Sequence, residues 1–368
     1  MPQQLHILHV TFDMNIGGTE QVIRNLVEGL DKNQYRSSIL CIDGEIGPWG
    51  QELQKAGYPH FCLKRNPGFD RQLIKDIRKL IKQEKIDIFH CHQYTPYVYG
   101  WFASLFTGKP VIFTEHGRFY PDVSSFKRKL INPILQSLTS AITSISLATK
   151  NALVEYENLS ESKIEVIYNG IADTAIEPSD QLKKELGLGG DDLVIGTISR
   201  LDTIKNHSMM LKAFSKTLAQ KGSVKLLIVG DGPMKNELSE LVEQLDIHQH
   251  VIFTGFKPNP QAYLAIMDVF LLPSLSEGTS MTLLEAMSFA KPSIATAVGG
   301  TPEILIHEKT GLLVKNKDET GLVSAIKVLL NNKELRLQYG KNARIRYEEL
   351  FTLEAMSKSY EALYERIR

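Results

Sequence analysis

The sequence predicts an α/β protein of two domains, each built on a doubly wound parallel sheet. Strand-like apolar runs alternate with amphipathic helical segments through both halves, an order typical of parallel sheets covered by helices on both faces. The length of 368 residues favours two domains over one. A polar stretch over 171–192, which contains Pro178, separates the halves. We therefore place the domains at 1–172 and 173–350, followed by a helix over 351–368.

The first half opens with a strand over 5–12, a loop containing Gly17 and Gly18, and a helix from about Glu20. Paired glycines let the backbone approach a ligand closely, or only form a tight turn. The loop is not G-x-G-x-x-G, which disfavours a dinucleotide-binding dehydrogenase. Further strands are expected at 37–42, 86–92, 110–114, 141–146 and 164–168, with helices at 48–56, 73–83 and ending at 103–106.

The second half repeats this order. Strands are expected at 193–199, 224–229, 251–254, 269–272 and 293–296, with helices at 207–218 and 283–290. The final segment, 351–368, has apolar residues at helical spacing. Ligands of doubly wound sheets bind outside the carboxyl ends of the strands, so the polar residues at those ends are the candidate site residues.

Composition describes an ordinary globular protein, with 43% hydrophobic and 23% charged residues and a formal net charge of zero. With no net positive charge, the protein has no overall electrostatic attraction for nucleic acid. Three cysteines are too few for a disulfide framework, and we find neither a signal peptide nor an apolar run of about 20 residues, so we expect a cytoplasmic protein. The basic run 127–129 precedes an apolar stretch over 130–134. It is either a solvated face or a contact with the inner face of the cell membrane.

Two strand ends in the first half carry histidines. His90, Cys91 and His92 form an H-C-H run, but no carboxylate or further ligand sits at a useful spacing, so we do not expect a metal site. We expect His90 to pack near the surface and His92 to face the ligand. His116 ends a buried strand and precedes a glycine. It is either a structural residue or part of the site.

The second half carries cations and carboxylates at its strand ends. Arg200 and Lys205 follow the first strand and are placed to neutralise a diphosphate without a metal ion. The segment 278–282 leads into a helix, whose N-terminus favours an anion. Glu277 lies before that helix and Glu285 inside it. Because carboxylates suit hydroxyls rather than phosphates, this combination predicts a sugar nucleotide.

The motif Glu277-x7-Glu285, followed by the run 292–303 with Gly299 and Gly300, resembles the retaining glycosyltransferases of family four, which have the GT-B fold. This resemblance implies two Rossmann-like domains facing across a cleft. The first would bind the acceptor and the second the donor, and the last helix would pack back on the first domain.

The resemblance also implies roles for individual residues. Glu285 would hold the ribose, Glu277 the hydroxyls at carbons 3 and 4 of the sugar, and His116 the donor sugar. Catalytic roles are expected for His116, Glu277, Arg200 and Lys205. Donor contacts are expected for Gly17, Gly18, Gly232, Phe256, Gly278, Thr279, Ser280, Met281, Thr282 and Glu285. His92 and Arg118 are expected near the acceptor. We expect neither a metal nor another cofactor.

The predicted function is transfer of a sugar from a UDP-sugar, with a GDP-sugar as the alternative, to a glycan or lipid-linked acceptor of a bacterial envelope. Two other functions fit the same architecture: a sugar-nucleotide epimerase, and a catalytically silent sugar-nucleotide-binding module. The intact set of Arg200, Lys205, Glu277 and Glu285 argues against the silent module. An epimerase needs carboxylates placed to deprotonate carbon 2, and the sequence offers only the glutamate pair.

Overall fold

The computed structural model describes residues 4–117, 124–218 and 223–368. The chain forms two compact units. The first unit comprises 1–172 and 352–368, and the second comprises 173–351. Each unit is a parallel β-sheet with helices packed on it. The predicted α/β fold class, with a doubly wound sheet in each half of the chain, is confirmed.

The first unit contains a seven-stranded sheet in the order β3-β2-β1-β4-β5-β6-β7. Every residue of β1 is buried, because helices cover both faces of the sheet. The strands are β1 (Leu5–Thr11), β2 (Tyr35–Cys41), β3 (His60–Cys62), β4 (Ile88–His92), β5 (Val111–Glu115), β6 (Ala141–Ser144) and β7 (Ile164–Val166). The helices are α1 (Gly18–Gly29), α2 (Gly47–Lys55), α3 (Arg71–Gln83), α4 (Tyr94–Ser104), α5 (Phe126–Ser137) and α6 (Leu147–Glu157).

The second unit contains a six-stranded sheet in the order β10-β9-β8-β11-β12-β13. Its strands are β8 (Leu193–Ile198), β9 (Val224–Val229), β10 (Val251–Gly255), β11 (Val269–Leu272), β12 (Ser293–Thr296) and β13 (Gly311–Val314). The helices are α7 (Asp180–Glu185), α8 (His207–Leu218), α9 (Lys235–Gln244), α10 (Gln261–Ala265), α11 (Met281–Ser288), α12 (Thr301–Ile304), α13 (Glu319–Asn331) and α14 (Lys333–Leu350).

The last helix, α15 (Leu353–Ile367), belongs to the first unit. The backbone N–H of Leu353 donates to the carbonyl of Ile171 at 2.8 Å. The helix buries Met356, Tyr360 and Tyr364. The hydroxyl of Tyr364 lies 2.8 Å from Nδ1 of His90, so α15 packs against the central strand β4.

In both sheets the strand order reverses at one pair of neighbouring strands, β1 and β4 in the first unit and β8 and β11 in the second. Chains leaving such a pair diverge and form a crevice at the carboxyl ends of the strands, which is where doubly wound sheets bind ligands. Among the described residues, no helix is both long and apolar enough to span a bilayer.

Candidate functional site

In the second unit, the ion pair of Lys205 and Glu277 lies at the point where the strand order reverses. Lys205 follows β8 and Glu277 follows β11. Lys205 Nζ lies 2.6 Å from Glu277 Oε1, and the hydroxyl of Ser274 donates to the same oxygen at 2.6 Å. The side chain of Glu277 is only 8% exposed and that of Lys205 is 24% exposed. A pair this sheltered from water interacts more strongly than one at the surface.

The backbone around Glu277 is fixed by the two glycines that follow β12. The N–H of Gly300 donates to the carbonyl of Glu277 at 3.2 Å. Gly299 has a φ of +50°, and a Cβ at this position would lie 1.8 Å from that carbonyl oxygen. Only glycine fits there, since both the backbone conformation and the contact exclude a side chain. The run 292–303 therefore holds the loop that carries Glu277.

Helix α11 begins at Met281, two residues earlier than predicted. Ser280 is its N-cap: the hydroxyl accepts from the N–H of Leu283 at 3.3 Å, and the residue is 5% exposed. Ser280, predicted as a donor contact, thus has a structural role as a cap. Gly278, Thr279, Met281 and Thr282 are half-buried around the positive end of the helix dipole.

Glu285 lies on α11, and its carboxylate accepts from Nε2 of Gln261 at 3.1 Å. Burial raises the pKa of Glu285 to about 7, and the Gln261 hydrogen bond only partly offsets this. No cation pairs with Glu285 among the residues that the structure describes. The carboxyl group is therefore held partly desolvated, an environment in which a new hydrogen bond to the ionised form is strong.

Three other predicted residues of this unit lie at the carboxyl ends of neighbouring strands. Arg200 is exposed just after β8 and makes no ion pair within the described ranges. Gly232 follows β9, where a Cβ would lie 2.4 Å from the carbonyl oxygen of Leu201. Phe256 follows β10 and is 54% exposed. The structure joins Lys205 to Glu277 by direct contact, whereas these three share only the edge of the sheet.

In the first unit, the glycine loop precedes α1. Gly17 is the N-cap in an extended conformation, and the helix begins at Gly18. A Cβ on Gly17 would lie 2.3 Å from Oε2 of Glu20, so the Glu20 carboxyl group lies against the loop. Burial raises the pKa of Glu20 to about 7. From the sequence, Glu20 was predicted only as the start of a helix.

His92 and His116 are joined to a third histidine that sequence reasoning missed. His9 Nδ1 lies 3.1 Å from His92 Nε2, and His92 Nδ1 lies 2.8 Å from His116 Nε2. His9 and His92 have no exposed surface, whereas His116 is half-buried. The expectation that His92 faces a ligand is wrong, because its side chain has no exposed surface. The signal available in the sequence was His9 inside the apolar run of β1, a strand that also contains His6.

His90 is also fully buried, which corrects the prediction that it packs near the surface. His9, His90 and His92 lie within 4.8 Å of one another, a spacing that could suit a metal ion. Both nitrogens of His90 are already paired, with Tyr364 and with Thr114 Oγ1 at 2.6 Å. Both nitrogens of His92 are paired as well. The cluster is therefore a hydrogen-bonded network in which Nε2 of His9 lacks a partner among the described residues. Arg118 lies outside the described residues.

Known proteins resemble the chain along both halves. The family model described as Glycosyltransferase Family 4 matches residues 16–174, and that described as Glycosyl transferases group 1 matches residues 178–346. An N-acetyl-alpha-D-glucosaminyl L-malate synthase from Bacillus anthracis is 31% identical over 316 residues, which cover 83% of this chain and 81% of that protein.

A second relative is the UDP-Gal:alpha-D-GlcNAc-diphosphoundecaprenol alpha-1,3-galactosyltransferase of Escherichia coli. It is 26% identical over 356 residues, which cover 93% of this chain and 92% of that enzyme.

Solved structures share the whole fold. A glycosyltransferase from Rickettsia africae has a TM-score of 0.89 and 21% identity, covering 99% of this chain and 98% of that one. The Anabaena protein Alr3699/HepE in complex with UDP has a TM-score of 0.86 and 19% identity, covering 99% and 100%. The chain therefore belongs to glycosyltransferase family 4 and has the GT-B fold.

Proposed function

We propose that the protein is a retaining glycosyltransferase that uses a nucleotide-sugar donor, with a UDP-sugar favoured over a GDP-sugar. The acceptor is a hydroxyl of a glycan or a lipid-linked oligosaccharide in envelope polysaccharide or glycoconjugate synthesis. The observation that carries the proposal is the sheltered pair of Lys205 and Glu277 at the reversal point of the second sheet. The relatives add support, since one is named for UDP-galactose and a diphosphoundecaprenol acceptor and one neighbour was solved with UDP.

We assign the binding of the leaving diphosphate to Lys205, Arg200 and the N-terminus of α11. Lys205 has three N–H donors, of which Glu277 takes one, and Arg200 is exposed without an ion pair in the described parts of the chain. With the dipole of α11, they would stabilise the charge that develops as the bond to the diphosphate breaks. These groups supply what a divalent cation would supply, so the proposed reaction requires no metal.

The hydroxyls of the donor are assigned to the carboxylates. Glu277, fixed by its contacts with Lys205 and Ser274, would accept hydrogen bonds from the hydroxyls at carbons 3 and 4 of the sugar. Glu285 would accept from the ribose hydroxyls, and binding would favour its ionised form. His116 of the first unit is assigned to the donor sugar, and the Gly17–Gly18 loop to its phosphates.

Retention requires the acceptor hydroxyl to attack carbon 1 of the sugar from the face that the diphosphate leaves. In this reaction the bond from carbon 1 to the phosphate oxygen breaks and the bond to the acceptor oxygen forms. The acceptor proton passes to the departing phosphate oxygen, so no protein nucleophile is required. The function of the protein is to hold the two oxygens together and to stabilise the charge between them.

Helix α5 supports the proposed peripheral contact with a membrane. Its large apolar side chains Phe126, Leu130 and Ile134 are 77%, 60% and 62% exposed. Lys127 and Lys129 lie on the same helix. An exposed apolar stripe beside cations suits the interface of an anionic bilayer, where a lipid-linked acceptor would be found.

The test is to incubate the protein with UDP- and GDP-sugars and a panel of lipid-linked and glycan acceptors. We expect a glycosylated product with the anomeric configuration of the donor, read by NMR of the anomeric proton. Inversion at carbon 1 would contradict retention. Conversion of the donor to an isomeric sugar nucleotide would indicate an epimerase instead. Binding without turnover of any donor and acceptor pair would indicate a binding module.

A further inference from the structure

The loop that follows β8 carries both cations assigned to the diphosphate, and we call residues 199–207 the cation loop. Ser199 ends the pairing of β8 with β9, since its N–H donates to the carbonyl of Val229 at 3.1 Å. One side-chain contact joins the two ends of the cation loop: the hydroxyl of Ser199 lies 2.9 Å from Nε2 of His207. Nδ1 of His207 is buried and has no hydrogen-bond partner among the described residues. Within those residues, the contact with Ser199 is therefore the one hydrogen bond that the ring makes.

His207 does not itself act as a cation for the diphosphate. It is the first residue of α8 and is only 2% exposed. Burial lowers the pKa of His207 to about 4, so the ring is neutral at neutral pH. A buried neutral ring offers the diphosphate neither a positive charge nor an open surface. Any effect of His207 on the reaction must then pass through the cation loop.

Lys205, near the far end of the cation loop, is held by contacts that do not involve His207. Its Nζ lies 2.6 Å from Oε1 of Glu277. The residue before it is also anchored, because the carbonyl of Ile204 accepts from the N–H of Leu275 at 2.7 Å. Both the side chain and the adjoining backbone of Lys205 are therefore tied to the segment that follows β11.

Arg200, at the near end, has no comparable side-chain contact. Its side chain is exposed and forms no ion pair in the parts of the chain that the structure describes. On one side of it, the buried Leu201 is anchored, because its N–H donates to the carbonyl of Asp231 at 2.9 Å. On the other side, the chain leaves the sheet at Ser199, whose side chain is held by His207. The position of Arg200 therefore depends on the contact between Ser199 and His207.

We propose that Ser199 and His207 are positioning residues for Arg200, and that their contact holds its guanidinium where it meets the leaving diphosphate. The role of Arg200 on the diphosphate rests on the proposed function. The dependence of its position on His207 does not, because the contact is made by the protein alone. A fixed cation stabilises the developing charge without first having to reorganise, so loss of the contact should slow transfer.

The structural test is a crystal structure of His207→Leu, which retains an apolar side chain but cannot form a hydrogen bond with Ser199. We expect the Cα of Arg200 to be displaced relative to wild type, with Lys205 still in contact with Glu277. His207→Gln places an amide near the position of Nε2 and should restore the wild-type loop. An Arg200 that keeps its wild-type position in His207→Leu, or a Lys205 displaced as far as Arg200, would overturn the proposal.

The kinetic test asks whether the effect passes through Arg200. His207→Leu should lower kcat/KM for transfer by about 10-fold, the worth of one hydrogen bond, with recovery in His207→Gln. Ser199→Ala should match His207→Leu, and the double variant should be no worse than either. In an Arg200→Met background His207→Leu should have no further effect, whereas in a Lys205→Met background the loss should remain. Additive losses with Arg200→Met, or wild-type kcat/KM in folded His207→Leu, would contradict the positioning role.

The matched control is His6→Leu, which removes a serine–histidine contact of the same length from the first unit. His6 is 4% exposed, and its Nε2 lies 2.9 Å from Oγ of Ser38. This variant should lower the melting temperature, as His207→Leu does, without changing kcat/KM. An equal loss of activity in His6→Leu would show that the effect is one of stability and would overturn the proposal. If no donor is turned over but Arg200 moves in His207→Leu as expected, the proposed function fails and the positioning of Arg200 stands.

Discussion

Lys205 Nζ lies 2.6 Å from Glu277 Oε1, although 72 residues separate the two in the sequence. The contact is made because β8 and β11 are neighbours at the reversal point of the second sheet, and the segments after both strands emerge at the same edge. Under the proposed function, Lys205 is the cation for a diphosphate and Glu277 the carboxylate for sugar hydroxyls, so this one pair would serve both parts of a nucleotide sugar.

Replacement of Lys205 by methionine should lower kcat for transfer on the order of 100-fold, because a donor that stabilises the leaving diphosphate is lost. It also leaves the sheltered Glu277 carboxylate without its cation, so the melting temperature should fall. The measurement is steady-state kinetics together with thermal unfolding. Lys216→Met is the matched control, since Lys216 forms a surface pair with Glu319 and is 63% exposed. Wild-type kcat in Lys205→Met would remove Lys205 from the mechanism.

Gly299→Ala should disrupt the loop that carries Glu277. The added methyl group would collide with the Glu277 carbonyl, and the positive φ would strain any other residue, at a cost of about 1–3 kcal/mol. We expect a lower melting temperature and a large loss of transfer activity. The control is Gly190→Ala, because a Cβ there meets no atom within 4 Å. Full activity in Gly299→Ala would mean that the position of Glu277 matters little.

Donor affinity should depend on pH through Glu285. Because burial raises its pKa to about 7 and ribose hydroxyls bind the ionised form, affinity should rise as the pH rises through 7. Glu285→Gln should bind more weakly, by about 1.5–3 kcal/mol for the lost charge-assisted hydrogen bonds, and should lack this pH dependence. Calorimetric titration with UDP from pH 6 to pH 8 measures both effects, and a flat wild-type profile would contradict this assignment.

The stability of the ligand-free protein should show the opposite trend. A carboxyl group with a raised folded pKa binds protons more readily folded than unfolded, so its contribution is present at pH 4.5 and is lost as the pH rises through 7. Glu285→Gln removes this loss. The variant should therefore gain stability relative to wild type between pH 5 and pH 8. Glu20, whose pKa is also about 7, makes the same pH-dependent contribution to stability in both proteins, so the comparison cancels it.

Chelation should leave transfer unchanged. The proposed neutralisation of the diphosphate uses Arg200, Lys205 and the start of α11, all of them protein groups. The measurement is the rate of transfer after addition of EDTA, and again after each divalent cation is added in turn. Loss of activity with EDTA and recovery with Mg²⁺ would contradict the assigned roles of the two cations.

Much of the fold could be predicted because the signals were local. Continuous apolar runs predicted the strands β1 and β8, and apolar residues at helical spacing predicted the helices α3 and α8. Two short strands, β3 with three residues and β13 with four, were not predicted, and neither were the helices α9, α13 and α14 of the second unit. Runs as short as β3 and β13 carry no periodic pattern, and pairing with a neighbouring strand makes them strands.

Site residues could be predicted where they lie close together in one sequence motif. They could not be predicted where strand pairing brings together residues that are distant in the sequence. The N-terminus of α11 was predicted to within two residues, although Ser280 was not predicted to be its N-cap. The contact of His9 with His92 depends on the register of β1 against β4, in which His9 lies opposite His90. No spacing along the chain encodes that register. The burial of His90 depends on α15, which covers it from the far end of the sequence.

The most direct test of the account is a crystal structure of the protein soaked with a hydrolysis-resistant UDP-sugar. We expect the Glu285 carboxylate within hydrogen-bonding distance of both ribose hydroxyls, Lys205 on the diphosphate and Glu277 on the sugar hydroxyls. A nucleotide sugar bound away from the carboxyl ends of β8 and β11, with these three side chains untouched, would contradict it.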